Sequence, residues 1–74
     1  MHYTQRMADL REDKDLKQEA VASVLGITRQ QYQLYECGKR KLPIDQLIAL
    51  CKFYNVSADY LLGFTNEYTP LPKK

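Results

Sequence analysis

Apolar residues recur at helical spacing in five short stretches of the chain, and no stretch alternates apolar and polar residues as a strand does. The predicted helices cover approximately residues 3–13, 18–25, 28–36, 44–54 and 58–62. The residues predicted to face the core are Tyr3, Met7, Leu10, Val21, Ala22, Leu25, Tyr32, Tyr35, Ile44, Leu47, Ile48, Leu50, Cys51 and Tyr54. The pattern therefore predicts a small all-α fold.

The turn between the second and third predicted helices is marked by several agreeing signals. Gly26 can adopt the left-handed conformation that ends a helix, and Thr28 supplies a side-chain oxygen to cap the next one. Thr28 and Gln31 have the spacing of a capping box, and Ile27 and Tyr32 have that of a hydrophobic staple. With only three residues between them, the two helices are expected to cross steeply and touch.

Glycine, proline and serine residues delimit the remaining helices. Gly38 is expected to end the third helix, and Pro43 suits the first turn of the fourth because its missing N–H would be unpaired there. Ser57 is predicted to cap the fifth helix, and Gly63 follows its end. These signals predict a domain over residues 1–64 and an irregular C-terminal tail over residues 65–74. In or beside that tail Phe64, Tyr68 and Leu71 are apolar, and they either fold back on the core or pack on a second subunit.

The charge of the chain is modest but unevenly placed. The 74 residues contain 11 Lys and Arg against 9 Asp and Glu, a net charge of +2, which is weakly suggestive of nucleic-acid binding. Three cations follow one another at Lys39, Arg40 and Lys41, whereas several acids gather near the start of the chain. This basic loop is a candidate phosphate-binding element, and a merely solvated loop is the alternative.

Catalytic, metal and membrane roles find little support in the sequence. Cys37 and Cys51 form no zinc-binding motif and are too few for a disulfide scaffold, so both are expected to be free thiols. No acid, base and nucleophile are placed to act together, and no apolar stretch is long enough to span a membrane. We expect a cytoplasmic protein that is not an enzyme and takes no cofactor, metal or small-molecule substrate.

Ala22 and Gly26 lie at the positions where the second and third helices must approach closely. With them, residues 18–37 resemble the helix-turn-helix of the lambda-repressor-like family, which includes Cro and XRE-type regulators. Residues 10–18, 35–39 and 55–63 are similar to further segments of that family, so the resemblance covers nearly all of residues 3–64. It implies a compact five-helix DNA-binding domain, and a buried pair between Arg11 and Glu36. Three departures stand out, at Lys17, Tyr32 and Cys37, where the family usually has a Ser or Thr cap, a branched aliphatic residue and an Asn.

In this architecture the third helix reads base edges in the major groove, and the second crosses the phosphate backbone. The residues predicted to read bases are Arg29, Gln30, Gln33 and Leu34. The residues predicted to hold phosphates are Lys17, Gln18, Thr28, Lys39, Arg40 and Lys41. Gln31 is assigned to capping, and the tyrosines at helical spacing are interpreted as core residues before stacking platforms for single strands.

The resulting expectation is a bacterial or phage-encoded transcriptional regulator, a repressor, that binds double-stranded operator DNA as a homodimer. Its two half-sites would lie about 34 Å apart, one turn of the duplex. A second interpretation stays open, in which the chain is a protein-interaction module, such as an antitoxin that neutralises a partner protein. In that case the five-helix body or the tail would bind the partner, and DNA binding would be secondary or absent.

Overall fold

The computed structural model describes residues 2–68 and 70, and all regular structure within them is helical. Its helices are α1 (Tyr3–Asp13), α2 (Gln18–Leu25), α3 (Arg29–Glu36), α4 (Ile44–Tyr54) and α5 (Ala58–Leu61). The predicted five-helix all-α fold is confirmed. α5 ends one residue earlier than predicted, because Gly63 adopts a φ of 84° and the Phe64 N–H turns back to the Asp59 carbonyl at 2.9 Å.

The helix ends are fixed by local hydrogen bonds. His2 precedes α1 and accepts a hydrogen bond through Nδ1 from the Thr4 N–H, and Ser57 caps α5 by accepting from the Tyr60 N–H at 3.1 Å. α4 ends at Asn55, which has a φ of 55°. Asparagine tolerates this left-handed conformation better than most residues, so it closes α4 where the sequence offers no glycine.

The core lies where α4 packs against α2 and α5, and where α1 packs against α3 and α5. Its buried apolar residues are Met7, Leu10, Val21, Ala22, Tyr32, Tyr35, Leu47, Leu50, Cys51, Tyr54, Val56 and Leu61. Tyr3 and Leu25, which the sequence also places in the core, are partly buried at its edge. Most of the predicted core is therefore confirmed, and Val56 from the loop after α4 and Leu61 from α5 complete it.

The prediction that Ile44 and Ile48 face the core is wrong. These side chains are 66% and 47% exposed, respectively. α4 carries a second apolar stripe of the same spacing, which begins at Leu47, and that stripe fills the core instead. Helical periodicity alone cannot choose between two overlapping stripes on one helix, and packing against α2 and α5 decides between them.

A contact that the sequence did not indicate joins α1 to the residues after α5. Arg6 is only 5% exposed, and its guanidinium lies over the ring of Tyr60 at 4.1 Å from the centroid. Arg6 Nη2 donates to Asn66 Oδ1 at 3.0 Å and to the Thr65 carbonyl at 3.4 Å. The first residues of the predicted tail are thus held against the domain.

Tyr68 also packs against the domain. This agrees with one of the two predictions for the apolar residues near the tail, that they fold back on the core. Its ring meets that of Tyr60 edge-on at 5.5 Å, and its hydroxyl donates to the Asn55 carbonyl at 3.5 Å. Phe64 is 79% exposed, and Leu71 lies outside the described residues. The division into a domain and a tail at residue 64 stays a prediction.

Among residues 2–68 and 70, none of the helices has the length and apolar character that crossing a membrane requires. Cys37 is an exposed free thiol, and Cys51 is a buried one. Burial raises the pKa of the Cys51 thiol, which keeps this side chain in its neutral form as part of the core.

Candidate nucleic-acid interface

The turn that joins α2 and α3 is closed by its own backbone. Gly26 adopts a φ of 70° and donates its N–H to the Ser23 carbonyl at 3.2 Å, and Ile27 donates to the Ala22 carbonyl at 3.0 Å. Ala22 is almost fully buried beneath this turn, and Ile27 packs against the core. The close approach of α2 and α3 therefore depends on the small side chain of Ala22 and on the positive φ of Gly26.

The start of α3 is held by a reciprocal capping box. Thr28 Oγ1 accepts from the Gln31 N–H at 3.1 Å, and Gln31 Oε1 accepts from the Thr28 N–H at 3.0 Å. The assignment of Gln31 to capping is confirmed. The Thr28 hydroxyl uses only a lone pair in this cap, so its proton can still be donated to an oxygen in front of the helix.

α3 has two faces with different surroundings. Tyr32 and Tyr35 are buried, at 0% and 9% exposure. Arg29, Gln30 and Gln33 are exposed, and Leu34 lies partly buried between the two faces. The structure therefore exposes three of the four predicted base-reading side chains to solvent, and places Leu34 at their margin.

A buried ionic network supports the back of α3. Arg11 donates to Glu36 through two nitrogens, Nε to Oε2 at 3.0 Å and Nη2 to Oε1 at 2.9 Å, and through Nη1 to the Leu16 carbonyl at 2.8 Å. Gln18 Nε2 also donates to Glu36 Oε1, at 3.3 Å. The pair that the family resemblance implies is confirmed, and it joins α1, the loop before α2, and α2 itself to α3.

The N-terminus of α2 brings Lys17 and Gln18 to the same side of the molecule as α3. Lys17 occupies the capping position without a side-chain hydrogen bond to the helix, and it is exposed. Gln18 and Gln33 line one groove beside this helix end. One N–H of the Gln18 amide is directed to Glu36, and the amide carries a second N–H that can be donated elsewhere.

The basic loop, residues 39–41, is attached to the domain on both sides. The Arg40 N–H donates to the Leu34 carbonyl at 3.1 Å, which ties the loop to α3. The Leu42 N–H donates to Tyr3 Oη at 3.4 Å, which ties it to α1. The three cationic side chains are exposed, so their charges extend from a loop of fixed backbone next to the end of α3.

The sequence of this chain matches a known protein family over most of its length. The family model described as helix-turn-helix matches residues 7–61, more than half of the chain. The chain belongs to this helix-turn-helix family. The match runs from the middle of α1 to the end of α5 and includes all the predicted site residues.

Several relatives within the helix-turn-helix family are regulators of Bacillus subtilis (strain 168) or of phage. The HTH-type transcriptional regulator YobD of B. subtilis is 40% identical over 68 residues, which are 92% of this chain and 61% of YobD. The cryptic phage CTXphi transcriptional repressor RstR of Vibrio cholerae is 35% identical over 54 residues, which are 73% of this chain and 49% of RstR. The chain therefore spans less than two thirds of the length of these relatives.

A solved structure extends the comparison to three dimensions. The crystal structure of a transcriptional regulator from Listeria innocua matches this helix-turn-helix chain with a TM-score of 0.81 at 26% identity. The match covers 89% of this chain and 62% of the Listeria chain. The five-helix arrangement is thus shared by a regulator of quite different sequence.

The three departures from the family pattern are accommodated in this helix-turn-helix domain. Lys17 leaves the start of α2 without a side-chain cap, as expected. Cys37 donates its thiol to the Leu34 carbonyl at 3.6 Å and stays exposed, and Tyr32 is fully buried in the core. The bulky Tyr32 therefore packs within the normal fold, and the change at residue 37 lies on the surface.

Tyr3 and Gln18 each make a contact that the sequence pattern does not predict. Tyr3 belongs to the predicted apolar stripe of α1, and its hydroxyl also accepts a hydrogen bond from the Leu42 N–H beside the basic loop. Gln18 is predicted to hold phosphate, and its amide also donates to Glu36. Helical spacing indicated which face Tyr3 lies on but gave no signal for a hydrogen bond to a residue 39 positions away.

The electrostatics of the buried network favour an ionised Glu36. Burial acts most strongly, and by itself it would raise the pKa of this carboxyl. Hydrogen bonds from Arg11, Tyr32 and Gln18, together with the charge of Arg11, outweigh it and hold the pKa of Glu36 below its ordinary value. Burial raises the pKa of Tyr54 to about 12 and also raises that of Tyr32, so both phenols stay neutral.

The lowered pKa of Glu36 predicts a loss of stability in acid. A carboxyl whose pKa is lower in the folded than in the unfolded state stabilises the fold above the unfolded pKa and loses this contribution as pH falls through the folded pKa. We expect Glu36→Gln to destabilise the domain at neutral pH, and the difference from the native protein to shrink as the pH falls through and below the ordinary pKa of a glutamate, about 4.3. Thermal melting across this range measures the effect.

Glu12 provides the matched control. Its carboxylate lies 3.9 Å from the same Arg11 but is 67% exposed. Glu12→Gln should therefore change the melting temperature little at any pH, because exposed ion pairs contribute little. A Glu36→Gln protein with the same pH profile as the native chain would contradict the proposed role of the buried carboxylate.

Proposed function

We propose that this chain is the DNA-binding part of a transcriptional repressor that recognises double-stranded operator DNA by sequence. The observation that carries the proposal is the exposed triplet Arg29, Gln30 and Gln33 on a helix whose start is capped and whose back is buried. Side chains on a rigid, supported helix can be held in register with base edges. The names of the relatives YobD and RstR, a regulator and a repressor, favour the same function.

In the proposed complex, the N-terminal part of α3 lies in the major groove. Arg29 donates two hydrogen bonds to the O6 and N7 atoms of a guanine, and Gln30 and Gln33 pair with adenines through their amides. Leu34, at the margin of the exposed face, contacts a thymine methyl group. These contacts would determine the sequence that the protein prefers.

Phosphate contacts would fix the register of α3 in the groove. Lys17, Gln18 and Thr28 lie at the N-termini of α2 and α3, where free N–H groups and the helix dipole attract anions. The DNA backbone would also be contacted by the three cations that follow the other end of α3, which are Lys39, Arg40 and Lys41. Such contacts add affinity for any sequence and make binding sensitive to salt.

The proposed assembly on DNA is a homodimer bound to a two-fold symmetric operator. One chain presents a single reading helix, which contacts only a few base pairs, and a second copy one duplex turn away doubles the recognised sequence. Residues 1–64 would form the DNA-binding domain, and the protein would act in the cytoplasm. Nothing in this function needs catalysis or a cofactor.

The decisive experiment is selection of sequences from random duplex DNA by the purified chain, followed by a salt titration on the selected site. We expect a palindromic consensus whose half-sites are centred about 34 Å apart. We also expect the logarithm of the binding constant to fall with the logarithm of salt concentration with a slope on the order of −5 to −10. No enrichment even at low salt would contradict the proposal and favour a protein-interaction module.

A further inference from the structure

α4 carries an exposed stripe that the core does not use. Ile44, Ile48 and Lys52 follow one another at four-residue spacing, and Asp45 lies beside them. Ile44 and Ile48 are 66% and 47% exposed, so two branched apolar side chains stand one helical turn apart on the same face. A groove of about 270 Å³, bordered by these isoleucines, Lys52 and Ala58, runs alongside the stripe.

The charges at the two ends of this stripe complement each other across a two-fold axis. Asp45 lies in the first turn of α4 and Lys52 in the last, seven positions further along, which corresponds to about 10 Å along the helix axis. That distance is too long for an ion pair within the helix. If a second α4 packs antiparallel with its axis of symmetry at Ile48, Asp45 of each copy comes beside Lys52 of the other.

The apolar residues fit the same arrangement. Ile48 of one copy meets Ile48 of the second copy at the axis, and Ile44 of each lies against the aliphatic stem of Lys52 and the groove of the other. A surface that complements itself in this way is what a two-fold dimer interface requires. A parallel arrangement of two α4 helices is disfavoured, because it would place Asp45 beside Asp45 and Lys52 beside Lys52.

We propose that two copies of this chain associate through antiparallel packing of α4, with Ile48 at the two-fold axis and reciprocal Asp45–Lys52 ion pairs at its sides. This inference rests on the proposed homodimer and names the surface that forms it. The residues of this interface include none of those predicted to read bases or to hold phosphates. A single helix pair is smaller than a standard protein interface, so the free dimer should dissociate in the micromolar range and form cooperatively on DNA.

The first test compares two aspartate substitutions on α4. Ile48→Asp places a charge at the proposed axis, and we expect the dimer dissociation constant measured by sedimentation to rise about tenfold or more. Phe53→Asp is the matched control, because Phe53 is 40% exposed on the same helix but lies about 140° around it from Ile48. The control should dimerise as the native chain does, and melting curves check that both variants fold.

The second test exchanges the charges. Asp45→Lys and Lys52→Asp should each weaken the dimer, because either change brings two like charges together across the axis. The double variant Asp45→Lys/Lys52→Asp should restore dimerisation toward the native level, since it reverses both ion pairs. Rescue of this kind would not arise from effects within one helix, where the two residues are too far apart to interact.

The same variants are then titrated on DNA from the selection experiment, which separates this inference from the proposed function. Loss of dimerisation and of binding cooperativity in Ile48→Asp, with rescue by the double exchange, supports the α4 interface. If all α4 variants dimerise and bind DNA cooperatively as the native chain does, the α4 interface is overturned. The repressor function then stands, and the dimer forms through another surface. A dimer that follows the expected pattern but binds no DNA supports the interface and overturns the repressor function.

Discussion

Replacing Arg11 by alanine is expected to lower the free energy of unfolding by about 3 kcal/mol, the largest effect on stability that we expect from a single change. Glu36 has a side chain that is only 8% exposed and receives two hydrogen bonds from Arg11. Without Arg11, the charge of Glu36 is buried beside neutral hydrogen-bond donors, Tyr32 and Gln18, and lacks its cationic partner. The melting temperature should fall by more than about 10 °C, given the size of the domain.

Two variants isolate the cause of this loss. Arg29→Ala removes an exposed arginine and should leave stability nearly unchanged. Adding Glu36→Gln to the Arg11→Ala protein removes the unpaired charge, so part of the lost stability should return. An Arg11→Ala protein that melts at the native temperature would show that the ion pair has no structural role.

Gln30→Ala is expected to have the largest effect on recognition. A lost pair of hydrogen bonds to one base costs about 1–3 kcal/mol per half-site, so a symmetric dimer loses about 2–6 kcal/mol, or a factor of about 30 or more in affinity. The preference for one base pair in each half-site should relax, while the other positions keep theirs. Titrations against operators with every base at each position measure both effects.

Gln31 and Lys41 give the contrasting controls for that experiment. Gln31→Ala removes the same type of side chain from the same helix, but Gln31 is engaged in the capping box, so base preference should be retained. Lys41→Ala should weaken binding to all sequences alike and make the salt dependence shallower by about one unit of slope per subunit. If Gln30→Ala and Lys41→Ala behaved identically, the division into base-reading and phosphate-binding residues would be wrong.

Much of the fold is predictable from local signals. Gly26 and Thr28 determine where α2 ends and α3 begins through interactions within a few residues, and both act in the structure as predicted. The position of Ile44 and Ile48 depends instead on which of two stripes packs better against other helices. Such a choice involves residues distant in sequence, so helical periodicity could not make it.

The candidate site divides in the same way. The exposure of Arg29, Gln30 and Gln33 follows from the helical positions of Tyr32 and Tyr35, and the sequence predicts it correctly. The contact of Arg6 with Thr65 and Asn66 links residues about sixty positions apart and leaves no local pattern. Family resemblance supplied the pair of Arg11 and Glu36, which spacing alone would not have indicated.

The two faces of α3 allow DNA specificity to evolve separately from stability. Tyr32, Tyr35 and Glu36 hold the helix in place, whereas Arg29 and Gln30 contribute nothing to the buried interior. Substitutions at the exposed positions are thus nearly free of folding cost. Under the proposed function, a lineage could acquire a new DNA target by a few such replacements while its scaffold stayed the same, and an engineer could retarget the protein by the same route.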